Sequence, residues 1–148
     1  MEGIEMAPEN NDYTKNQKQF INIMLDKIPG ASHIFNEKLD GRSADDISFY
    51  VALSPFVDLV IDSSLNENQT LIKKILSFVE DFLLRATNDD KTAVSICFFE
   101  DIINLLSHED PKHIRKFVSM LGPHSRECCK IVDEFWGVKT PGLYDDEK

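Results

Sequence analysis

His108, Glu109, Asp110 and His113 are the one cluster of side chains in this sequence whose types and closeness could hold a metal ion, through two imidazoles and two carboxylates. Two of the four have structural duties that account for them. Asp110 stands immediately before Pro111, the order of an N-cap followed by proline at the first helical position. His108 falls at the carboxyl end of the preceding helix, where an imidazolium suits the helix dipole. No metal site and no cofactor are therefore assigned, and an enzyme built around His108, Glu109 and His113 is kept only as an alternative. Cys128 and Cys129 are adjacent, so on a helix they point about 100° apart and cannot grip one metal together.

Paired carboxylates recur at Asp45-Asp46, Glu80-Asp81, Asp89-Asp90, Glu100-Asp101 and Asp133-Glu134, and two such acids could share general acid and base duties. On amphipathic helices they read instead as solvated faces. The phosphate-binding glycine motifs, the GxSxG nucleophile elbow, HExxH and the EF-hand loop are all missing, and no catalytic residue is assigned. What stands out is the distribution of charge. Leu76 to Pro111 carries eight acids against Arg85 and Lys91, a net of −6, whereas Lys112 to Lys130 carries five bases against Glu127, a net of +4. Such polarity either orients a partner or pairs neighbouring helices with one another. The candidate partner-binding residues are Glu80, Asp81, Asp89, Asp90, Glu100, Asp101, Glu109 and, as an aromatic anchor or a core plug, Trp136.

The whole chain has a formal charge of −10, which repels nucleic acid phosphates and anionic membranes; more often such charge only keeps a protein soluble, and otherwise it steers a basic protein partner toward the surface. No apolar run is long enough to span a bilayer, and the acidic start from Met1 to Tyr13 is no secretory signal. Three cysteines without CxxC spacing suit the reducing cytoplasm. A chain of 148 residues with ten Phe forms one domain that buries roughly 70% of its unfolded surface without staples.

The elements that would position these residues are helices. Thr14 with Gln17 reads as a capping box before Phe20, Ile21, Met24, Leu25 and Ile28, and Pro29-Gly30 ends that helix. Ser32 is the expected cap of a short second helix. Ile47 to Leu53 alternates as a strand would, but Ser43 with Asp46 as a capping box, and the want of a second strand, favour helix. Ser54-Pro55 reads as cap and first residue of a further helix over Phe56 to Ile61, and Asn66 as cap of the next, whose stripe runs from Leu71 to Leu83. After the turn at 87–90, a helix to about Ser107 is apolar around most of its circumference and should be the central one. Asp110-Pro111 opens the next helix and Gly122-Pro123 stops it, and a last helix holds Cys128, Ile131, Val132, Phe135 and Trp136 before Gly137. The expectation is an all-α fold, a compact bundle or short helical-hairpin array of about six to seven helices. Its bounds are 14–137, preceded by a flexible segment 1–13 and followed by an acidic, loosely held tail 138–148.

Three stretches carry a resemblance: Ala93-Val94-Ser95-Ile96-Cys97-Phe98-Phe99-Glu100-Asp101-Ile102, Met120-Leu121-Gly122-Pro123-His124-Ser125-Arg126, and Asp133-Glu134-Phe135-Trp136. Over roughly Ser43 to Gly137 the chain resembles small bacterial all-helical domains of the kind found among immunity proteins that neutralise polymorphic or contact-delivered toxins. The resemblance implies one-to-one capture of a basic toxin domain by an acidic helical face, with no functional residue carried over. The competing expectation is a helical adaptor without an inhibitory duty.

Overall fold

The structure is a computed structural model that describes residues 15–42 and 47–144. The expected cap Thr14, the capping box of Ser43 and Asp46, the segment 1–13 and the acids Asp145, Asp146 and Glu147 lie outside those residues. Among the described residues the chain is all-α. Its order is α1 (Lys15–Lys27), α2 (Ala31–Lys38), α3 (Phe49–Leu65), α4 (Gln69–Leu84), α5 (Asn88–Val94), a π segment (Ser95–Glu100), α6 (Asp101–Leu106), α7 (Pro111–Ser119) and α8 (Pro123–Trp136). From α5 through α6 the backbone stays right-handed helical at every junction, so 88–106 is one continuous rod.

The ambiguous stretch 47–53 resolves as the start of α3, capped by the Ser48 hydroxyl, which accepts from the Val51 N–H at 3.2 Å. Ser54 and Pro55 do not open a new helix as expected; both lie inside α3. Pro55 has no N–H to offer the carbonyl of Val51, four residues back. The Ser54 hydroxyl donates to that same carbonyl at 2.9 Å, so the orphaned acceptor is satisfied and the helix continues. Two other caps shift for similarly local reasons. Gly30, at φ +83°, starts α2, while Ser32 inside it donates to the Leu25 carbonyl of α1 at 3.1 Å. Asn66 terminates α3, and Asn68 caps α4 by accepting from the Leu71 N–H.

The central helix is α3, not the rod 88–106. It buries Phe49, Leu53, Phe56, Val57 and Val60 and packs against α1, α2, α4, α5, the π segment, α6 and α7. Each such side chain contributes about 1.5–3 kcal/mol by leaving water. Phe20, Phe49 and Phe82 join α1, α3 and α4, with Phe20 stacked on Phe82 at 4.4 Å between ring centres. A second aromatic group, Phe98, Phe99 and Phe117, joins the π segment to α7.

The rod 88–106 is buried around most of its middle, where Ala93, Val94, Ser95, Phe98 and Phe99 are all covered, and it is open along a strip that includes Thr92 and Ile96. Its core residues Val94, Phe98, Ile102 and Leu106 come at four-residue spacing. On an α-helix each such step advances by about 40°, so three would carry Leu106 about 120° from Val94. The π turn, with its i→i+5 bonding, is wider and takes back part of that drift. All four therefore reach the core, and Ile96 and Leu105 are left nearly half exposed.

The chain beyond α8 is not a loose tail as far as Tyr144. Asp133, 1% exposed, accepts from the Thr140 N–H and hydroxyl, both at 2.6 Å, and from the Tyr144 hydroxyl at 3.1 Å. Leu143 is buried beneath this latch, and Arg126 donates to the carbonyls of Leu143 and Val118.

Candidate functional site

A large, mostly apolar groove runs between the rod 88–106 and α8, with a volume of about 600 Å³. Its apolar walls are Ile96 on the π segment and Ile131, Val132, Phe135 and Trp136 on α8; Asn88, Lys91, Thr92, Ser95 and Glu100 complete the lining. The helical wheel of α8 explains why these side chains stand out. Cys128, Cys129 and Val132 point into the core, and Ile131, about 100° from Val132, is carried to the edge of that face together with Phe135. Ile131 is 45% exposed, Ile96 49%, Trp136 57% and Phe135 79%. Phe135 and Trp136 meet edge to face, 5.3 Å between ring centres and 89° between planes. Two large aromatics left in water and braced against each other form a pre-ordered apolar surface, the kind of surface that anchors protein interfaces.

Charge frames the groove. Lys91 pairs with Glu127 at 3.2 Å, which compensates both. Glu100 lines the groove, and Glu134 stands about 60° round α8 from Ile131, on the exposed side. Neither makes an ion pair with a described cation. The frame is therefore acidic.

The eight candidate residues are not brought to one place. Trp136 and Glu100 line the groove, and Asp89 is exposed beside Asn88 at its end. Asp81 borders a shallow depression between α1 and α4 with Phe20, Ile23 and Arg85. Asp101 opens on a cleft of about 240 Å³ with Lys38, Asp58 and His108. Burial pushes the Asp101 carboxyl up, against the pull of Lys38. Glu109 is exposed in the α6–α7 turn.

Two of the candidates are structural and leave the docking surface. Asp90, 2% exposed, closes a capping box with Thr87 and accepts from Gln17 Nε2 at 2.6 Å, tying α5 to α1. Glu80 reaches from α4 to the first turn of α8. Its carboxylate accepts from the His124 N–H at 2.8 Å and from the Ser125 N–H and hydroxyl at 2.9 Å. Burial alone would raise its pKa, but these hydrogen bonds, aided by the His124 charge, outweigh it and hold the carboxyl below its ordinary value.

The histidine cluster also comes apart. His108 faces the cleft with Asp101, whereas His113 lies beside Lys112, Phe117 and Ser64 in a separate depression. No group of three or more potential ligands gathers among the described residues. The Cys97 thiol is pushed up to about 11 by burial and by Asp101 and Glu100, and burial raises Cys128 and Cys129 as well, so all three thiols stay protonated at neutral pH. Among the described residues no helix is long and apolar enough to cross a membrane.

A family match spans residues 21–137, from α1 to the residue that closes α8. The chain belongs to the DUF7674 family, described as a domain of unknown function. No curated protein and no solved structure matches it. The DUF7674 match contains both walls of the groove and both aromatics of its rim. The latch partners Thr140 and Tyr144 follow it in sequence. Ile96, Ile131 and Phe135 are members of the groove that sequence reasoning did not single out. The available signal was the i, i+4 pair Ile131 and Phe135 on a helix whose core face was already filled by Cys128, Cys129 and Val132.

Proposed function

We propose that this DUF7674 domain is a cytoplasmic protein-binding module of the immunity or inhibitor type, which captures one basic protein partner stoichiometrically and acts by covering it. The observation that carries the reading is the exposed Phe135–Trp136 pair on the rim of an apolar groove, in a protein of net charge −10. Buried aromatic anchors slow release, and an acidic field speeds the encounter with a basic surface. Relative to the broad acidic face expected from sequence, the reading narrows the contact to Glu100, Phe135 and Trp136 and removes Glu80 and Asp90. A cognate toxin domain is the partner that the resemblance implies.

The test is capture from lysate of the source cells with tagged protein at low and high salt, in parallel with the F135A/W136A variant. The reading expects one dominant basic protein, retained in equal amount at high salt and lost with the variant. Several weak partners that wash off equally from both proteins would favour an adaptor that uses another surface.

A further inference from the structure

The groove also says what shape of partner segment it takes. Its walls are helices, so no sheet edge is offered for strand addition among the described residues. Its floor is mostly apolar, contributed by Ile96, Ile131, Val132 and the two aromatics. An extended peptide laid on that floor would leave backbone N–H and C=O groups facing apolar side chains, at a cost in unmade hydrogen bonds. A helix satisfies its backbone internally and brings only side chains to the contact. Two helices with an open furrow between them also offer ridges and grooves into which a third helix packs. Electrostatics fixes the flanks. Lys91 is engaged by Glu127, while Glu100 in the lining and Glu134, about 60° round α8 from Ile131, make no ion pair with a described cation, so an incoming segment gains from Lys or Arg beside its apolar stripe and loses from Asp or Glu there.

We infer that the occupant of the groove is an amphipathic helix of the partner, about two to three turns long, with apolar side chains at i, i+3, i+4 and i+7 and basic residues flanking them. The apolar stripe seats between Ile96 and the Phe135–Trp136 pair. The basic flanks face Glu100 and Glu134. This rests on the protein-binding reading above and adds the conformation and chemistry of the bound segment.

Trp136 is the single tryptophan of the chain and sits on the rim, so its emission reports occupancy directly. The experiment is selection from a random library of peptides of about 20 residues, long enough for five helical turns, against the wild-type protein with counter-selection on F135A/W136A. Recovered peptides are then titrated against Trp136 emission and examined by circular dichroism. The expected result is basic amphipathic peptides that gain helicity on binding and shift Trp136 emission to the blue. They should bind at least about tenfold more weakly to I96D and to F135A, whose circular dichroism is unchanged. Peptides that depend on the groove but are proline-rich, extended or acidic would overturn the helix inference and leave the protein-binding reading intact. Recovery of no groove-dependent peptide would overturn both. Concentration-dependent dimerisation of the wild type that F135A/W136A abolishes would assign the groove to a second copy of this chain and likewise overturn the inference.

Discussion

The carboxylate of Glu80 occupies the space that a side chain on Gly122 would fill: a Cβ built there would lie 2.6 Å from Cδ and 2.7 Å from Oε1. Gly122 is not in a left-handed conformation, so the requirement for glycine is one of room and not of φ. The far end of Glu80 is normally free to move aside, but here it is pinned by three hydrogen bonds from His124 and Ser125. Gly122→Ala should therefore displace the carboxylate and cost about 1.5–3 kcal/mol, the range for hydrogen bonds to a charged group. In the Glu80→Ala background the same substitution should cost much less. Urea unfolding of the four proteins of this cycle measures the coupling, and additive effects would deny it.

Glu80 also gives stability a pH dependence of known sign. Its folded-state pKa lies below the ordinary 4.5, so the folded protein binds fewer protons than the unfolded chain in that range. Its contribution is fully present above 4.5 and is lost as pH falls through the folded value. Asp101 acts oppositely: its raised pKa makes ionisation costly in the folded state, a cost absent below 3.8 and complete above the folded value. Glu80→Gln should flatten the acid side of the stability profile, and Asp101→Asn should steepen it. Thermal unfolding between pH 3 and pH 7 resolves the two.

The pairing of Ser54 with the carbonyl of Val51 predicts an exchange of roles with Pro55. Ser54→Ala leaves that carbonyl without a donor and should cost about 1 kcal/mol. With Pro55→Ala, the new N–H at 55 supplies the bond, and Ser54→Ala should then be nearly neutral. Equal costs in the two backgrounds would place the Ser54 effect elsewhere.

Asp133 holds the chain end to α8, and the consequence should be local as well as global. Asp133→Ala removes the acceptor for Thr140 and Tyr144 and uncovers Leu143, for an expected loss of about 2–3 kcal/mol. Hydrogen exchange should show the amide of Thr140 losing protection while amides in the middle of α4 keep theirs relative to global stability. Uniform loss throughout would mean that the latch is part of one cooperative unit.

The groove aromatics should be dispensable for folding. Phe135 and Trp136 are 79% and 57% exposed, so alanine at both positions should change stability by less than about 1 kcal/mol. A larger loss, measured by urea unfolding, would show the pair to be structural.

The all-α class was written in the chain itself, because helical spacing of apolar residues, caps such as Asp110-Pro111 and stops such as Gly137 act within a few residues of each other. Local chemistry at this range also explains the stripe of α4, which the structure reproduces from Ile72 to Leu83. Three things had to wait for the tertiary structure. The continuity of α3 through Pro55 depends on where one hydroxyl points, which residue type alone does not give. The duties of Glu80, Asp90 and Asp133 depend on partners 44 or 45, 73 and 7 or 11 residues away, so acids that look like solvated surface in sequence are caps and ties in the fold. The groove depends on which face of an apolar rod is left uncovered. An all-round apolar sequence cannot say which face that is, and only the packing of α8 against the π segment leaves Ile96 and Trp136 facing water across a shared furrow.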